Sequence, residues 1–139
     1  LERILPITER AGVPVVEDAA CAIGSEVRVA GEWGRIGRPH GAVACFSFHP
    51  RKVITTGDGG MLTTRDATLD ARFRLLRQHA MSVSDVARHS SRSIVFEDYV
   101  EVGFNYRMTD IQAAVGRVQL GRLPGLLEER VRLAQRYTA

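Results

Sequence analysis

Apolar positions along this chain alternate between helical spacing and short β-branched runs, a pattern that predicts an α/β fold. Residues 1–11 are apolar at a helical period, which Pro6 is expected to interrupt. Gly12 is expected to end this helix. The run 13–16 is typical of a buried parallel strand and leads into an acidic pair that ends in Asp18.

A second apolar run, residues 42–48, predicts another buried strand, and residues 26–33 between the two strands predict a small hairpin or surface loop. Asp18 and Lys52 each follow a strand end. In an open α/β sheet such ends line the ligand crevice, so the two side chains should share one crevice if the strands are neighbours. Asp18 has a second interpretation, as the N-cap of a short helix.

The middle of the chain contains a glycine-rich turn, a helix and a long polar stretch. The turn and short strand at 55–64 do not match P-loop spacing, and either a hairpin turn or a close-packed ligand turn explains them. Asp66 is expected to cap a helix running to about residue 79. The stretch 80–98 has no firm period and is typical of a functional or mobile loop, in which we expect His89 to be solvated.

Helical signals dominate the last third of the sequence. Thr109 and Gln112 match the capping box S/T-x-x-E/Q, which predicts a helix beginning there. Pro124 and Gly125 are predicted to break this helix, so that a second helix follows. We expect both helices to pack on the sheet or on another subunit.

Composition and charge narrow the class of protein without specifying a function. The chain has 139 residues, and its 45% hydrophobic and 25% charged residues are typical of one globular domain. We expect a cytoplasmic protein with no membrane segment. The net charge is +3 and the arginines are interspersed with acids, unlike a nucleic-acid-binding face. Cys21 and Cys45 lie in apolar stretches and are predicted to be buried reduced thiols, not metal ligands or a disulfide.

Lys52 is the only lysine in the chain, because every other residue in the Lys+Arg count of 19 is arginine. Arginine can replace lysine as a surface charge, but its guanidinium does not lose a proton in a protein and cannot act as a nucleophile. The single retained amine is therefore a candidate catalytic group. A coding bias towards arginine explains the same composition equally well.

Four blocks follow one another along the chain: residues 17–20 (EDAA), 46–52 (FSFHPRK), 56–60 (TGDGG) and 103–114 (GFNYRMTDIQAA). In this order they resemble the signature of the DegT/DnrJ/EryC1/StrS sugar aminotransferases, and the resemblance covers nearly the whole chain. It implies a pyridoxal-phosphate (PLP) enzyme of fold type I, the aspartate-aminotransferase-like class. The chain would then be an α/β fragment of the large domain, with a mostly parallel sheet and flanking helices.

The resemblance also implies a role for each matching residue. Lys52 falls where the family's lysine binds PLP covalently and carries the proton of transamination. Asp18 falls where an aspartate pairs with the pyridine nitrogen. Ser47 and Asn105 match residues that bind the cofactor phosphate, Asn105 from the neighbouring subunit. The expected partner is therefore a second copy of the protein, in a homodimer with shared active sites.

Three further residues receive weaker assignments from the same resemblance. His49 and Arg107 are assigned to the substrate or to phosphate. Cys21 occupies a position that contacts the cofactor ring, where the family usually has Gln or His, and a thiol cannot offer the same hydrogen bond. No metal ligand is expected.

The function implied is transfer of an amino group from an amino acid, such as glutamate or glutamine, to a nucleotide-linked keto sugar. One alternative is a PLP enzyme of the same family that acts on a cyclitol or another carbonyl substrate. A non-catalytic regulatory homologue is a second alternative, favoured by Cys21. A nucleic-acid-binding module, motivated by the arginines, would show steep salt-dependent affinity, which we do not expect.

The chain opens within a helical pattern and stops without a helix-ending residue, so we expect an internal piece of a longer protein. Residues 1–108 would form the second half of the PLP-binding large domain. Residues 109–139 would be helices that lead towards a C-terminal small domain.

Overall fold

The computed structural model describes residues 1–83, 88, 90–91, 94 and 96–138, so His89 lies outside the described residues. The described chain forms two compact units, one from Leu1–Arg65 with Met108–Ala139 and the other from Asp66–Arg107. The elements in chain order are α1 Leu5–Ala11, β1 Val16–Asp18, β2 Glu26–Val29, β3 Glu32–Arg35, β4 Val43–Ser47, β5 Gly60–Thr63, α2 Ala67–Leu76 and α3 Asp110–Thr138.

The first unit is built on a three-stranded sheet in the order β1-β4-β5. β1 and β4, whose pairing the sequence left open, are parallel neighbours, with Asp18 opposite Cys45. β5 runs antiparallel to β4, with Gly60 opposite Ser47, so the sheet within this chain is mixed. β2 and β3 form a separate antiparallel hairpin, which confirms the hairpin predicted between the two strands.

Helix α1 differs from its prediction at its start and agrees at its end. The helix begins at Leu5, so Pro6 lies in the first turn instead of interrupting it. A proline there removes an N–H that has no intrahelical partner anyway. Gly12 caps the helix in the left-handed conformation, as expected. The N–H of Val13 is donated to Thr8 O at 2.9 Å in this cap, and the strand predicted from residue 13 begins later, at Val16.

The predicted break at Pro124 is wrong, because α3 continues through it to Thr138. Leu123 is only 5% exposed, and Leu127 packs so closely on the loop at Gly24 that a Cβ there would lie 2.3 Å from Leu127 Cδ1. Proline inside a helix costs about 3 kcal/mol relative to alanine. The burial of Leu123 and the packing of half-buried Leu127 offset this cost and keep the helix in one piece.

The second unit begins with α2, whose predicted cap is confirmed. Asp66 Oδ1 accepts hydrogen bonds from Thr68 N at 2.7 Å and Leu69 N at 3.2 Å. The helix ends at Leu76 and not near residue 79, because His79 and Ala80 adopt positive φ angles of 62° and 54°. Arg72 on this helix forms an ion pair with Glu101.

Two negative findings concern the described part of the chain. Among residues 1–83, 88, 90–91, 94 and 96–138, no helix combines the length and apolar character needed to cross a lipid bilayer. The same residues contain no group of three or more His, Cys, Asp or Glu side chains placed to hold a metal ion.

Glu17 holds the entry to β4 in place, since the residue is only 8% exposed and its Oε1 accepts from the N–H groups of His40 and Gly41, each at 2.6 Å. Glu17→Ala leaves these two donors without an acceptor, so we expect a loss of about 3 kcal/mol in the free energy of unfolding, measured in urea. Glu17→Gln keeps an oxygen acceptor and should lose less than half as much. Equal stability of Glu17→Ala and the unaltered protein would contradict this role.

Candidate active site

Lys52 lies on a twelve-residue connection, residues 48–59, that joins β4 to β5. The two ends of this connection are held together, because Phe48 N donates to Gly59 O at 2.7 Å and Thr56 N donates to Phe48 O at 3.2 Å. Lys52 N donates to His49 O at 2.9 Å, which places the lysine on a tight turn just past β4. Residues 48–59 therefore form a ring of backbone that these hydrogen bonds close at its base, and Lys52 lies on this ring.

The Lys52 side chain lines an open cavity of about 540 Å³. This volume lies within the range of cavities that bind small molecules. The cavity wall is formed by Cys21, Ser47, His49, Arg51, Lys52 and Asp58. The structure thus brings together four of the residues predicted for the site, from the turn after β1, the end of β4 and the loop that follows.

Cys21 is in direct contact with Lys52, because Lys52 Nζ donates to Cys21 Sγ at 3.0 Å. The prediction that this thiol is buried is wrong, since Cys21 is exposed and Cys45 is half-buried; both are free. Residues 19–22 form a turn at the end of β1, closed by a bond from Ala22 N to Ala19 O. The turn carries the thiol out of the sheet and towards the amine.

Asp18 lies at the carboxyl end of β1 and is exposed. Its Oδ1 accepts from Ala20 N at 3.1 Å, so the carboxylate caps a turn where the sequence allowed a helix N-cap. Asp18 pairs with Cys45 of β4 in the sheet, where burial first, and the Asp18 charge second, raise the pKa of the Cys45 thiol. Asp18 is not among the residues that line the cavity wall.

Asn105 and Arg107 belong to the second compact unit, where both are exposed. Asn105 pairs with Gln78 in an isolated antiparallel bridge after α2. The rings of Phe104 and Tyr106 on either side of it stack, with centroids 5.1 Å apart. The segment is therefore ordered around Asn105, and the predicted roles of Asn105 and Arg107 stay predictions.

Two residues of the cavity wall, Arg51 and Asp58, were not predicted as site residues from the sequence. Arg51 directly precedes Lys52, and Asp58 lies in the glycine turn, so both lay within blocks already singled out. The two positive charges of Arg51 and Lys52 exceed the one negative charge of Asp58 on the cavity wall, so the cavity favours anionic ligand groups. Asp58 Oδ1 accepts from the following N–H, Gly59 N, at 2.9 Å, and this bond holds the carboxylate against the turn.

The chemistry of these donors fits PLP, the cofactor that the sequence resemblance implies. Lys52 offers a primary amine for an aldehyde, while the Ser47 hydroxyl and the Arg51 guanidinium are donors suited to a phosphate. Asp18 supplies a carboxylate at the end of the neighbouring strand.

The sequence profile of the DegT/DnrJ/EryC1/StrS aminotransferase family matches residues 1–139. GDP-perosamine synthase of Caulobacter vibrioides is 42% identical over 137 residues, which are 99% of this chain and 33% of that protein. Helicobacter pylori PseC, an aminotransferase of pseudaminic acid biosynthesis, superimposes with a TM-score of 0.83 at 27% identity, over 98% of this chain and 33% of PseC. The PLP form of Streptococcus pneumoniae Spr1654 superimposes with a TM-score of 0.73 at 30% identity, over 91% of this chain and 30% of Spr1654.

The chain spans about a third of the length of these relatives. Its structural neighbours are PLP-dependent aminotransferases of fold type I, which confirms the predicted α/β fold class. The family profile covers all four sequence blocks, together with the cavity that Lys52 lines. This chain therefore belongs to the DegT/DnrJ/EryC1/StrS aminotransferase family.

Proposed function

We propose that this chain carries the catalytic lysine of a PLP-dependent aminotransferase. The enzyme would move an amino group from an amino acid, glutamate or glutamine, to the keto group of a nucleotide-linked sugar. The observation that carries this proposal is the Lys52 amine on the wall of an open cavity in a chain of this family. The nucleotide-linked substrate is supported by the relative GDP-perosamine synthase, whose name refers to a GDP-linked product.

Lys52 is proposed to hold the cofactor and to carry the proton of the reaction. When bound, PLP supplies an electron sink that stabilises negative charge at the substrate carbon. Lys52 Nζ removes a proton from the donor's α-carbon and later returns one to the acceptor's carbon, a task that requires an amine able to lose its proton. Cys21 Sγ accepts a hydrogen bond from Nζ and orients the amine within the cavity.

The remaining residues are proposed to bind and orient. Ser47 and Arg51 would donate to the cofactor phosphate, with Asn105 contributed by the second subunit of a homodimer. Asp18 would hold a proton on the ring nitrogen, because a carboxylate beside that nitrogen stabilises its cationic form. His49 would contact the substrate from the cavity wall, and Arg107 is proposed to bind an anionic group of the substrate.

We also propose that residues 1–108 belong to the PLP-binding large domain and that residues 109–139 lead towards a small domain. The length of the relatives, about three times that of this chain, supports this placement. The complete enzyme would then take its substrates, a keto sugar and an amino-acid donor, in a site that two subunits share.

The proposal is tested by assaying amino transfer with the complete coding sequence that contains this chain. The purified protein is loaded with PLP and given glutamate or glutamine with a panel of nucleotide-linked keto sugars and keto cyclitols. We expect an amino sugar nucleotide by mass spectrometry, and none from a Lys52→Ala control. Turnover of the cyclitols alone would show that the substrate is a cyclitol and not a nucleotide-linked sugar. Absence of turnover with every carbonyl compound would favour a non-catalytic homologue.

A further inference from the structure

The side-chain amide of Gln112, in the first turn of α3, makes hydrogen bonds in two directions. Its Oε1 accepts from Thr109 N at 2.9 Å and from Thr109 Oγ1 at 3.0 Å, which completes the predicted capping box. Its Nε2 donates to the carbonyl oxygen of Asp58 at 3.1 Å, across 54 residues of sequence. One side chain thus joins the start of α3 to the glycine turn of the cavity wall.

The Asp58 carbonyl belongs to the loop that carries Lys52, residues 48–59. Thr56 Oγ1 donates to the same carbonyl at 2.7 Å. The next residue, Gly59, accepts from Phe48 N at 2.7 Å and so closes the ring of residues 48–59. The bond from Gln112 is therefore attached at the point where this loop returns to the sheet.

Close packing leaves the turn little freedom to move away from α3. Gly59 has a φ of +152°, and a Cβ there would lie 2.6 Å from Thr56 Oγ1 and 3.2 Å from Met108 Cε. On the helix side, a Cβ at Gly116 would lie 3.0 Å from Thr56 Cγ2. Thr56 itself is buried between the two glycines, at 6% exposure. The helix and the turn meet at backbone distance, so their hydrogen bond has a fixed geometry.

A glutamine is needed for both bonds, although either glutamate or glutamine completes a capping box. A glutamate at position 112 would still accept from Thr109 N. It could not donate to the Asp58 carbonyl, and it would place a carboxylate against a carbonyl oxygen. Helix capping therefore does not explain the hydrogen bond from Gln112 Nε2 to the Asp58 carbonyl.

We propose that Gln112 is a positioning residue that holds the Lys52 loop against α3, and this inference rests on the proposed catalytic role of Lys52. Gln112 acts through Asp58 O and the loop of residues 48–59, and it is not one of the residues that line the cavity. Removing its donor loosens the loop and leaves the helix cap in place.

The test compares Gln112→Glu with Thr109→Ala in the complete protein without cofactor, by hydrogen exchange of the amides of residues 48–60. Loss of one hydrogen bond should speed exchange at Phe48, Lys52 and Thr56 about fivefold in Gln112→Glu. Thr109→Ala removes the cap hydroxyl but keeps the Gln112 donor, so its loop should exchange as in the unaltered protein while the first turn of α3 frays. If Gln112→Glu does not fold, Gln112→Met removes the donor and the cap acceptor together, and any loop exchange faster than that of Thr109→Ala then reports the loss of the donor.

A second readout uses the rate at which PLP and borohydride trap Lys52, which should fall about tenfold in Gln112→Glu because the amine is less well placed. Unchanged loop exchange in Gln112→Glu would overturn the inference. Equal loosening in Thr109→Ala would also overturn it, because the cap and not the amide nitrogen would then hold the loop. Absence of any Lys52 adduct in the unaltered protein would refute the proposed function, while the exchange comparison would still decide the role of Gln112.

Discussion

Lys52→Ala is expected to lower amino transfer by about 10⁴-fold and to abolish the borohydride-stable PLP adduct on the peptide that carries residue 52. The reason is chemical, since Lys52 is the only primary side-chain amine in the chain and every other basic side chain of the Lys+Arg count is a guanidinium. The measurement is reduction of the PLP-loaded protein with borohydride, digestion and mass spectrometry, with turnover measured in parallel.

Three control variants separate chemistry from charge and shape. Lys52→Arg keeps the positive charge but cannot form the adduct, so it should be as inactive as Lys52→Ala. Arg51→Ala and Cys21→Ala alter the same cavity wall and keep the amine, so the adduct on Lys52 should persist in both. An unaltered protein that binds PLP but forms no adduct on Lys52 would refute the aminotransferase proposal.

Asp18→Asn is expected to lower amino transfer by about 100-fold, because the amide cannot stabilise a positive charge on the cofactor ring. The substitution is nearly isosteric, and the Asn side-chain oxygen can still accept from Ala20 N, which Asp18 holds at 3.1 Å. The turn after β1 should therefore keep its shape, and the loss should reflect the missing charge. The measurement is the turnover number, with the visible spectrum of the bound cofactor recorded alongside.

Cys45 provides an independent check that the Asp18 charge has been removed. The Asp18 carboxylate helps to raise the pKa of this thiol, although burial contributes more. Asp18→Asn should therefore lower the Cys45 pKa only partway towards its ordinary value, as measured by thiol alkylation against pH in a Cys21→Ser background. Turnover of Asp18→Asn equal to that of the unaltered protein, together with the expected shift at Cys45, would exclude Asp18 from the reaction.

Helix caps and strand patterns were predictable because they depend on residues close in sequence. The caps at Gly12, Asp66 and Thr109 all follow from the types of residue within three or four positions of the helix end. The strands β1 and β4 followed from two apolar runs. Each of these features depends on spacing that the chain displays without folding.

The errors arose where distant residues outweigh local preference. Pro124 is a local helix breaker, yet the burial of Leu123 and the contact of Leu127 with Gly24 keep α3 continuous. Cys21 lies in an apolar stretch, yet the turn that Asp18 caps brings its thiol to the Lys52 amine. Neither contact can be read from a local window, because its partners are tens of residues apart.

The order of sequence blocks was enough to identify the family, and the match of the second block together with the single lysine selected Lys52 as the candidate catalytic residue. The cavity wall required the tertiary structure. Arg51 and Asp58 lie on the cavity wall because backbone hydrogen bonds close the loop of residues 48–59. Gln112 can bond to Asp58 because α3 packs against that loop. Hydrogen bonds act over about 3 Å, so a function that depends on one across 54 residues exists only in the folded chain.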